Sequence, residues 1–286
     1  MNRCLLSATF FLCIASMTRA DVMILPPGID RMALCDAVLR GKVVALEPQD
    51  VEVPFGGTSD LKFKFRIAVV EVRETIVGDK NAKRLRVGFV PAGERNRPFG
   101  FGRYQELNFN LAAGQEGLFF LRTHQPSKIL HGVLFNDFVP EVLPKEVGPR
   151  QGMDYPSELQ RARHLAKLME NPLASLKAKD LQDRLSTATY LIYRYRTPTT
   201  PKQKTEPVPL EESRLILQAL LDQDWKQTRQ SPTPWACFLM LGLTEKDGWR
   251  SPAKINDLND ARAAAQTWFR DAGTEYRMQR FAAEGK

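Results

Sequence analysis

Long hydrophobic runs are rare in this sequence, and the longest one lies at its start. The apolar stretch Cys4–Ser16 is about thirteen residues long, whereas a helix needs roughly twenty apolar residues to cross a bilayer. Arg3 precedes this stretch and Thr18-Arg19-Ala20 follows it, an arrangement typical of a secretory signal peptide. We therefore expect a signal peptide over residues 1–20, cleavage near Ala20, no transmembrane segment, and a secreted or periplasmic protein.

Cysteine is also scarce, which excludes a fold built on disulfides. Of the four cysteines, Cys4 and Cys13 belong to the leader, so the mature chain keeps only Cys35 and Cys237. An oxidising compartment permits a bond between these two, but one falls in a strand-rich region and the other in a helix-like run. Because a thiol also behaves as a small hydrophobic group, we expect two separately buried cysteines, with a disulfide as the alternative.

Residues that assemble common catalytic and metal sites are few. The three histidines, His124, His131 and His164, include no pair spaced for one helix face, which argues against zinc. The sequence has no Gly-x-Ser-x-Gly turn and no Gly-rich loop that ends in Lys-Ser or Lys-Thr, so it indicates neither a hydrolase nucleophile nor a phosphate cradle. It therefore predicts no catalytic residue, no metal, no cofactor, and a protein that is not an enzyme.

Two acid pairs could in principle do general acid–base work. Glu211-Glu212 and Asp222/Asp224 fall at the ends of a predicted helix, where acids of the first turn complement the helix dipole. We interpret both pairs as structural.

The charged residues show no block of one sign. Removing Arg3 and Arg19 from the net charge of +8 leaves +6 for the mature chain, and Lys and Arg are interspersed with Asp and Glu. This pattern favours a solvated surface over a nucleic-acid groove. With 43% hydrophobic and 26% charged residues, the composition is that of a folded protein, and at about 100–200 residues per domain the length suggests two domains.

The first half of the mature chain shows the two-residue period of β-strands. From Leu61 to Val69 apolar residues alternate with Lys62, Lys64 and Arg66, and then the phase changes, which a β-bulge near Ala68 would explain. The other predicted strands are Val38–Leu46, Leu85–Phe89, Leu107–Leu111, Leu118–Leu121 and Ile129–Phe135, and the predicted turns are Gly56-Gly57, Val77–Asp79 and Ala113-Gly114. Short strands at close spacing predict an antiparallel β-barrel or a β-sandwich, and we expect the barrel over residues 21–145.

Four segments of this half occur in a recognisable order. They are Leu34-Cys-Asp-Ala-Val-Leu-Arg-Gly-Lys-Val-Val, Glu74-Thr-Ile-Val-Gly-Asp, Leu111-Ala-Ala-Gly-Gln-Glu-Gly-Leu-Phe-Phe-Leu and Asn136-Asp-Phe-Val-Pro. In order and spacing, over about residues 30–143, they resemble the netrin-like domain of tissue inhibitors of metalloproteinases. The resemblance implies an OB-fold barrel.

The sequence departs from that family where its inhibitors act. Those inhibitors chelate a protease's zinc through an N-terminal cysteine and its free amine, whereas the mature chain here would begin Asp21-Val22-Met23. They also pin the barrel with disulfides, and Asn136 stands here where the resemblance would place a partner for Cys35. The resemblance therefore implies an exported OB-like barrel without protease inhibition, since a fold does not fix a function.

After Pro156 the apolar residues recur at helical offsets of three and four. Ser157 is the expected cap of a first helix that ends before Asn171-Pro172, and Asp180 is the expected cap of the next. Further predictions are helices at Leu210–Leu221, Trp235–Leu243 and Leu258–Asp271, the last capped by Asp257 or Asn259, and an exposed proline-rich loop at Thr197–Pro209. The pattern predicts a HEAT-like helical domain over residues 156–286 and hence an α+β protein.

The segment best suited to binding lies among the predicted strands. It mixes guanidinium groups with aromatic rings: Arg95, Arg97, Phe99, Phe101, Arg103 and Tyr104. Arg and Tyr are enriched at interaction hot spots, and loops on rigid scaffolds commonly carry recognition. The alternative is that the rings fold back to close the barrel while the arginines stay solvated. A second candidate, Tyr276–Phe281, is either a docked tail or an exposed contact strip.

Three functions remain open. We expect first an exported, non-enzymatic binding or scaffolding protein of the bacterial envelope, whose partner is an unknown protein or an envelope polymer. The second hypothesis is a hydrolase with a carboxylate site in the interdomain groove, which convergent acids with raised pKa values would mark. The third is an OB domain that binds a polyanion or a single strand through exposed aromatic rings flanked by Lys62, Lys64 and Arg66.

Overall fold

The described part of the chain forms a sheet followed by helices. The computed structural model describes residues 29–54, 62–89, 110–124, 129–132, 138–141, 154–198, 203–226, 232–252, 255 and 257–282. The predicted signal peptide and the predicted turn at Gly56-Gly57 lie outside the described residues. Inside them the chain is a mixed α+β structure with a mainly antiparallel sheet, which confirms the predicted fold class at that level.

In the described residues a seven-stranded sheet follows the short helix α1 (Ile29–Ala33). Its strands are β1 (Ala37–Leu46), β2 (Val51–Pro54), β3 (Lys62–Val77), β4 (Arg84–Phe89), β5 (Glu116–His124), β6 (Ile129–Gly132) and β7 (Phe138–Pro140). β1 pairs with β3 on one side and with β5 on the other, β3 pairs with β4, and β6 pairs with both β4 and β5. β2 adds to β3, and β7 adds to β5. The β4–β6 pairing is parallel, which the prediction of an antiparallel arrangement did not include.

The buried face of β3 changes where the sequence predicted. Ile67 and Ala68 are consecutive and both fully buried. The ladder between β3 and β4 keeps its register across this point, however, and the extra residue lies on β1, where the pairing steps from Val43 to Ala45 for one step of β3. The prediction of a bulge in β3 near Ala68 is therefore wrong. The bulge at this point of the ladder lies in the neighbouring strand β1.

The segment before β5 is a turn and not the end of the predicted strand Leu107–Leu111. Leu111 is buried but lies outside the strands, and residues 107–109 lie outside the described part of the chain. Gly114 adopts a φ of +92°, and the Ala112 amide donates a hydrogen bond to the Gln115 side chain at 2.8 Å. These interactions form the turn that leads into β5.

Two glycines allow β1 and β5 to approach their neighbours closely. Gly41 and Gly117 lie directly opposite each other in the ladder. A Cβ atom on Gly117 would lie 2.4 Å from the Val139 carbonyl oxygen, and one on Gly41 would lie 2.6 Å from Val70 Cγ1. Any larger residue at either position would push a neighbouring strand away.

The second half of the chain is mainly helical. Its helices are α2 (Tyr155–Glu170), α3 (Pro172–Leu176), α4 (Leu181–Arg196), α5 (Leu210–Leu221), α6 (Pro234–Met240) and α7 (Leu258–Asp271), with short 3-10 turns at Glu245–Asp247 and Gly273–Glu275. α5 and α7 have the predicted bounds, and Asp180 and Asp257 cap α4 and α7 as predicted. α6 ends before the predicted Leu243, and Gly242 just beyond it takes a left-handed φ of +66°. Of the helices that the structure describes, none combines the length and the apolar character needed to cross a bilayer.

Helix α2 starts earlier than predicted, so Ser157 is not its cap. Asp154 is the N-cap, and its carboxylate accepts a hydrogen bond from the Ser157 amide at 3.2 Å. Pro156 lies in the first turn, where the N–H that proline lacks has no partner within the helix. Proline therefore belongs inside this helix and does not mark its outer boundary.

The proline-rich segment Thr197–Pro209 is not wholly the exposed loop that its composition predicted. Strand β8 (Thr205–Pro207) pairs antiparallel with β9 (Gln279–Phe281), and Val208 is fully buried. Prolines are compatible with this strand because β8 pairs on one side only, and an edge strand does not need every amide.

The C-terminal segment Tyr276–Phe281 is a docked tail, one of the two predicted alternatives. Met278 is almost completely buried, and its amide donates to Ser213 Oγ at 3.1 Å. Arg280 Nε donates to Glu206 Oε1 at 2.8 Å. The tail is thus held against the helical half by both backbone and side-chain contacts.

Buried apolar residues of the described chain form three clusters. One lies within the sheet and includes Leu39, Val70 and Phe119. A second joins the sheet to α2 and contains Cys35, and the third is the helical core, which contains Cys237. The two cysteines are therefore buried in different clusters, which confirms the prediction of separate thiols.

The helical core contains all four tryptophans, grouped around Phe238. The ring centroid of Phe238 lies 5.1 Å from Trp249, 5.5 Å from Trp225, 5.9 Å from Trp268 and 6.0 Å from Trp235. Tilted, edge-on and stacked arrangements at such distances are favourable beyond simple burial. One phenylalanine thus connects rings from α6, α7 and two connecting segments.

Candidate functional site

The predicted binding segment joins β4 to β5. Its residues Arg95, Arg97, Phe99, Phe101, Arg103 and Tyr104 lie outside the described residues, so their role stays a prediction. The chain leaves β4 after Phe89 and re-enters the described structure at Asn110, just before the turn at Gly114. In the chain, the segment therefore lies between two strands of the sheet.

The predicted acids Glu211 and Glu212 connect helices. Lys177 Nζ donates to Glu211 Oε1 at 2.5 Å, and Tyr195 Oη donates to Glu212 Oε1 at 2.6 Å. The hydrogen bond from Lys177 lowers the pKa of Glu211, whereas burial, followed by the bond to Glu212, raises the pKa of Tyr195. Both acids also occupy the first turn of α5, as predicted.

The second acid pair is structural as well. Asp222 ends α5 and forms an ion pair with Arg184 of α4. Asp224 accepts a hydrogen bond from the Lys226 amide at 2.9 Å. Each of the four acids therefore has a structural partner of its own, which does not favour the hydrolase hypothesis.

The histidines occupy three unrelated places. His164 of α2 is exposed, and its Nε2 atom lies 2.7 Å from Asp183 Oδ1 of α4. His124 ends β5, and His131 lies in β6 opposite Arg122. Across the described ranges, no group of three His, Cys, Asp or Glu side chains is arranged to hold a metal ion.

The basic residues that the polyanion hypothesis invoked are partly neutralised. Arg66 Nε lies 3.3 Å from Asp50 Oδ1. Lys64 is exposed, and the side chain of Lys62 lies outside the described structure. A paired arginine offers less to an incoming phosphate, because the polymer must first displace the carboxylate.

The neighbouring strand β4 repeats this pairing. Arg86 donates two hydrogen bonds to the Glu47 carboxylate, at 2.6 and 2.7 Å. These bonds lower the pKa of Glu47, so the carboxylate stays ionised beside the guanidinium. Arg66 and Arg86 are thus both matched by acids.

The apolar contact between the sheet and α2, which we call the seam, holds the sheet to the helices. It consists mainly of Val38, Leu118, Phe120 and Val139 from the strands and Leu159, Ala162, Leu165 and Leu168 from α2. Val38, Leu118 and Val139 have no exposed surface. Alternate residues of the strands and every third or fourth residue of α2 therefore meet on one face.

A bidentate ion pair lies beside the seam. Arg163 of α2 donates from Nε to Glu74 Oε1 at 2.8 Å and from Nη2 to Glu74 Oε2 at 2.5 Å. These hydrogen bonds lower the pKa of Glu74 and raise that of Arg163. Paired donors of this kind fix direction as well as distance, so the pair orients α2 on β3.

Helix α1 links the seam to the helical core. Ala33 is buried in the helical core and Met32 in the seam. Arg194 Nη1 of α4 donates to the carbonyl oxygens of Ala33 at 3.3 Å and Cys35 at 3.5 Å. The start of β1 is therefore fixed to α4 as well as to α2.

Sequence reasoning missed Arg163 and Arg194, the two arginines that make these connections. Both occupy polar positions of amphipathic helices, where most arginines are simply solvated. Their partners lie far away in the chain, 89 residues for Glu74 and 159 for Cys35. No local signal distinguishes them from other surface arginines.

Comparison with known proteins adds no family. The chain matches no protein-family model, and no curated protein sequence matches it. No functional residue is therefore transferred from a relative, and the function is argued from the described geometry.

Proposed function

We propose that the chain is an exported, non-enzymatic binding or scaffolding protein of the bacterial envelope. An OB-like barrel carries the binding segment Arg95–Tyr104, and a HEAT-like helical unit holds the barrel in place. The observation that carries the proposal is the seam, in which buried residues of the sheet and α2 share one apolar cluster. A recognition loop benefits from such a framework, because a loop on a rigid scaffold is ordered at less cost when it binds.

The strand pairing supports the OB-like barrel. The pairings lead from β1 through β3, β4, β6 and β5 and return to β1, with one parallel step between β4 and β6. Together with the resemblance over about residues 30–143, this order favours five barrel strands, with β2 and β7 as additions. The barrel then spans residues 21–145, after removal of the signal peptide 1–20.

The contacts of α4 support a HEAT-like unit over residues 156–286. α4 contacts α2, α3, α5 and α6, and α5 in turn contacts α6 and α7. Helices that pack mainly on their neighbours in the chain are typical of helical-repeat architecture. In this proposal the unit acts as a brace for the barrel.

Binding accounts for the charged residues better than the other two functions do. The acids that a hydrolase would use are joined to Lys177, Tyr195 and Arg184. Of the basic residues that a polyanion site would use, Arg66 is joined to Asp50. These pairs use the charges for internal structure, and recognition is left to the segment between β4 and β5.

Affinity capture from the native envelope fraction tests the proposal. The bait is the mature protein, compared with the variant Arg95→Ala/Arg97→Ala/Arg103→Ala. A matched control, Arg250→Ala/Arg270→Ala/Arg277→Ala, removes the same charge from exposed positions elsewhere. We expect one envelope component to be recovered equally by wild type and control, and about tenfold less by the loop variant, as for loss of hot-spot arginines.

Two results would contradict this function. Equal recovery by all three baits would remove the segment from the interface. Absence of any captured component, together with hydrolysis of a generic ester or glycoside panel, would replace binding by catalysis.

A further inference from the structure

We draw no further inference here: the strongest candidate, the surface patch at the end of α6 where Leu239 is 56% exposed beside the partly buried Met240 and Leu243, is an unpartnered apolar face, and nothing in the described part of the chain shows what covers it.

Discussion

The sheet and the helical half are held together by different means. The sheet depends on backbone ladders that come close at Gly41 and Gly117, and its interior cluster is largely aliphatic. The helical half depends on large rings, with all four tryptophans around Phe238. A sheet at close approach is sensitive to added atoms, whereas a core of interlocking rings is sensitive to removed ones. The seam therefore joins a sheet that added atoms destabilise to a helical core that removed atoms destabilise.

The largest expected effect is the loss of the central ring from the helical half. Phe238→Ala should lower the free energy of unfolding by about 3–5 kcal/mol, because it leaves a cavity that four tryptophans line. Urea denaturation followed by tryptophan fluorescence measures this directly. Leu239→Ala on the same helix is the control: Leu239 is 56% exposed, and its loss should cost less than about 0.5 kcal/mol. Similar losses for both would show that the rings do not form the core.

The next effect concerns added atoms in the sheet. Gly117→Ala should cost about 3 kcal/mol, because the new methyl group would meet the Val139 carbonyl oxygen and the Phe138 ring and the strands cannot yield easily. Gly114→Ala is the control, since a Cβ there has no atom within 4 Å and pays only for its positive φ, about 1–2 kcal/mol. Circular dichroism during urea unfolding gives both values. If Gly114→Ala were the more harmful change, close approach at Gly117 would not be the constraint.

A smaller effect concerns how the stability of the helical half depends on pH. Burial raises the pKa of Tyr276 to about 12, whereas an unfolded tyrosine ionises near about 10. The unfolded state therefore releases its proton first, and the stability from this group is complete below pH 10 and is lost as the pH rises towards 12. Tyr276→Phe should remove part of the decline in stability across this window. Unfolding measured at pH 7, 10 and 11 checks the difference, and parallel curves for the variant and wild type would contradict it.

The smallest effect is that of the ion pair beside the seam. Arg163 and Glu74 are 51% and 34% exposed, so their coupling in a double-mutant cycle with Arg163→Ala and Glu74→Ala should be only about 0.2–1 kcal/mol. The pair orients α2, and the apolar seam supplies the stability. A coupling well above this range would give the charges the larger part.

Local patterns predicted much of the fold. Leu210–Leu221 and Leu258–Asp271 were correct because their apolar spacing and end residues lie within one short window. The phase change at Ile67 and Ala68 was also visible in the alternation of apolar residues. β8 was missed because Thr205–Pro207 becomes a strand only through β9, more than seventy residues later in the chain. The start of α2 was misplaced because Pro156 was interpreted as a boundary and not as a first-turn residue.

Less of the candidate site could be predicted. Sequence alone placed Glu211, Glu212 and Asp222 at the ends of a helix, where the structure has them, and interpreted these acids and Asp224 as structural. It could not assign their partners, nor find Arg163 or Arg194, since these depend on contacts between distant segments. The segment Arg95–Tyr104 was selected by residue type alone, and its role stays a prediction.

We expect the seam to make the sheet and the helices one cooperative folding unit. Every tryptophan lies in the helical half, so its fluorescence reports that half, while pulsed hydrogen exchange of peptides from β3 and β5 reports the sheet. Urea unfolding followed by both probes should give one coincident transition, the mark of a single cooperative unit. Two separate midpoints, with sheet peptides exchanging while tryptophan fluorescence is still native, would contradict the account.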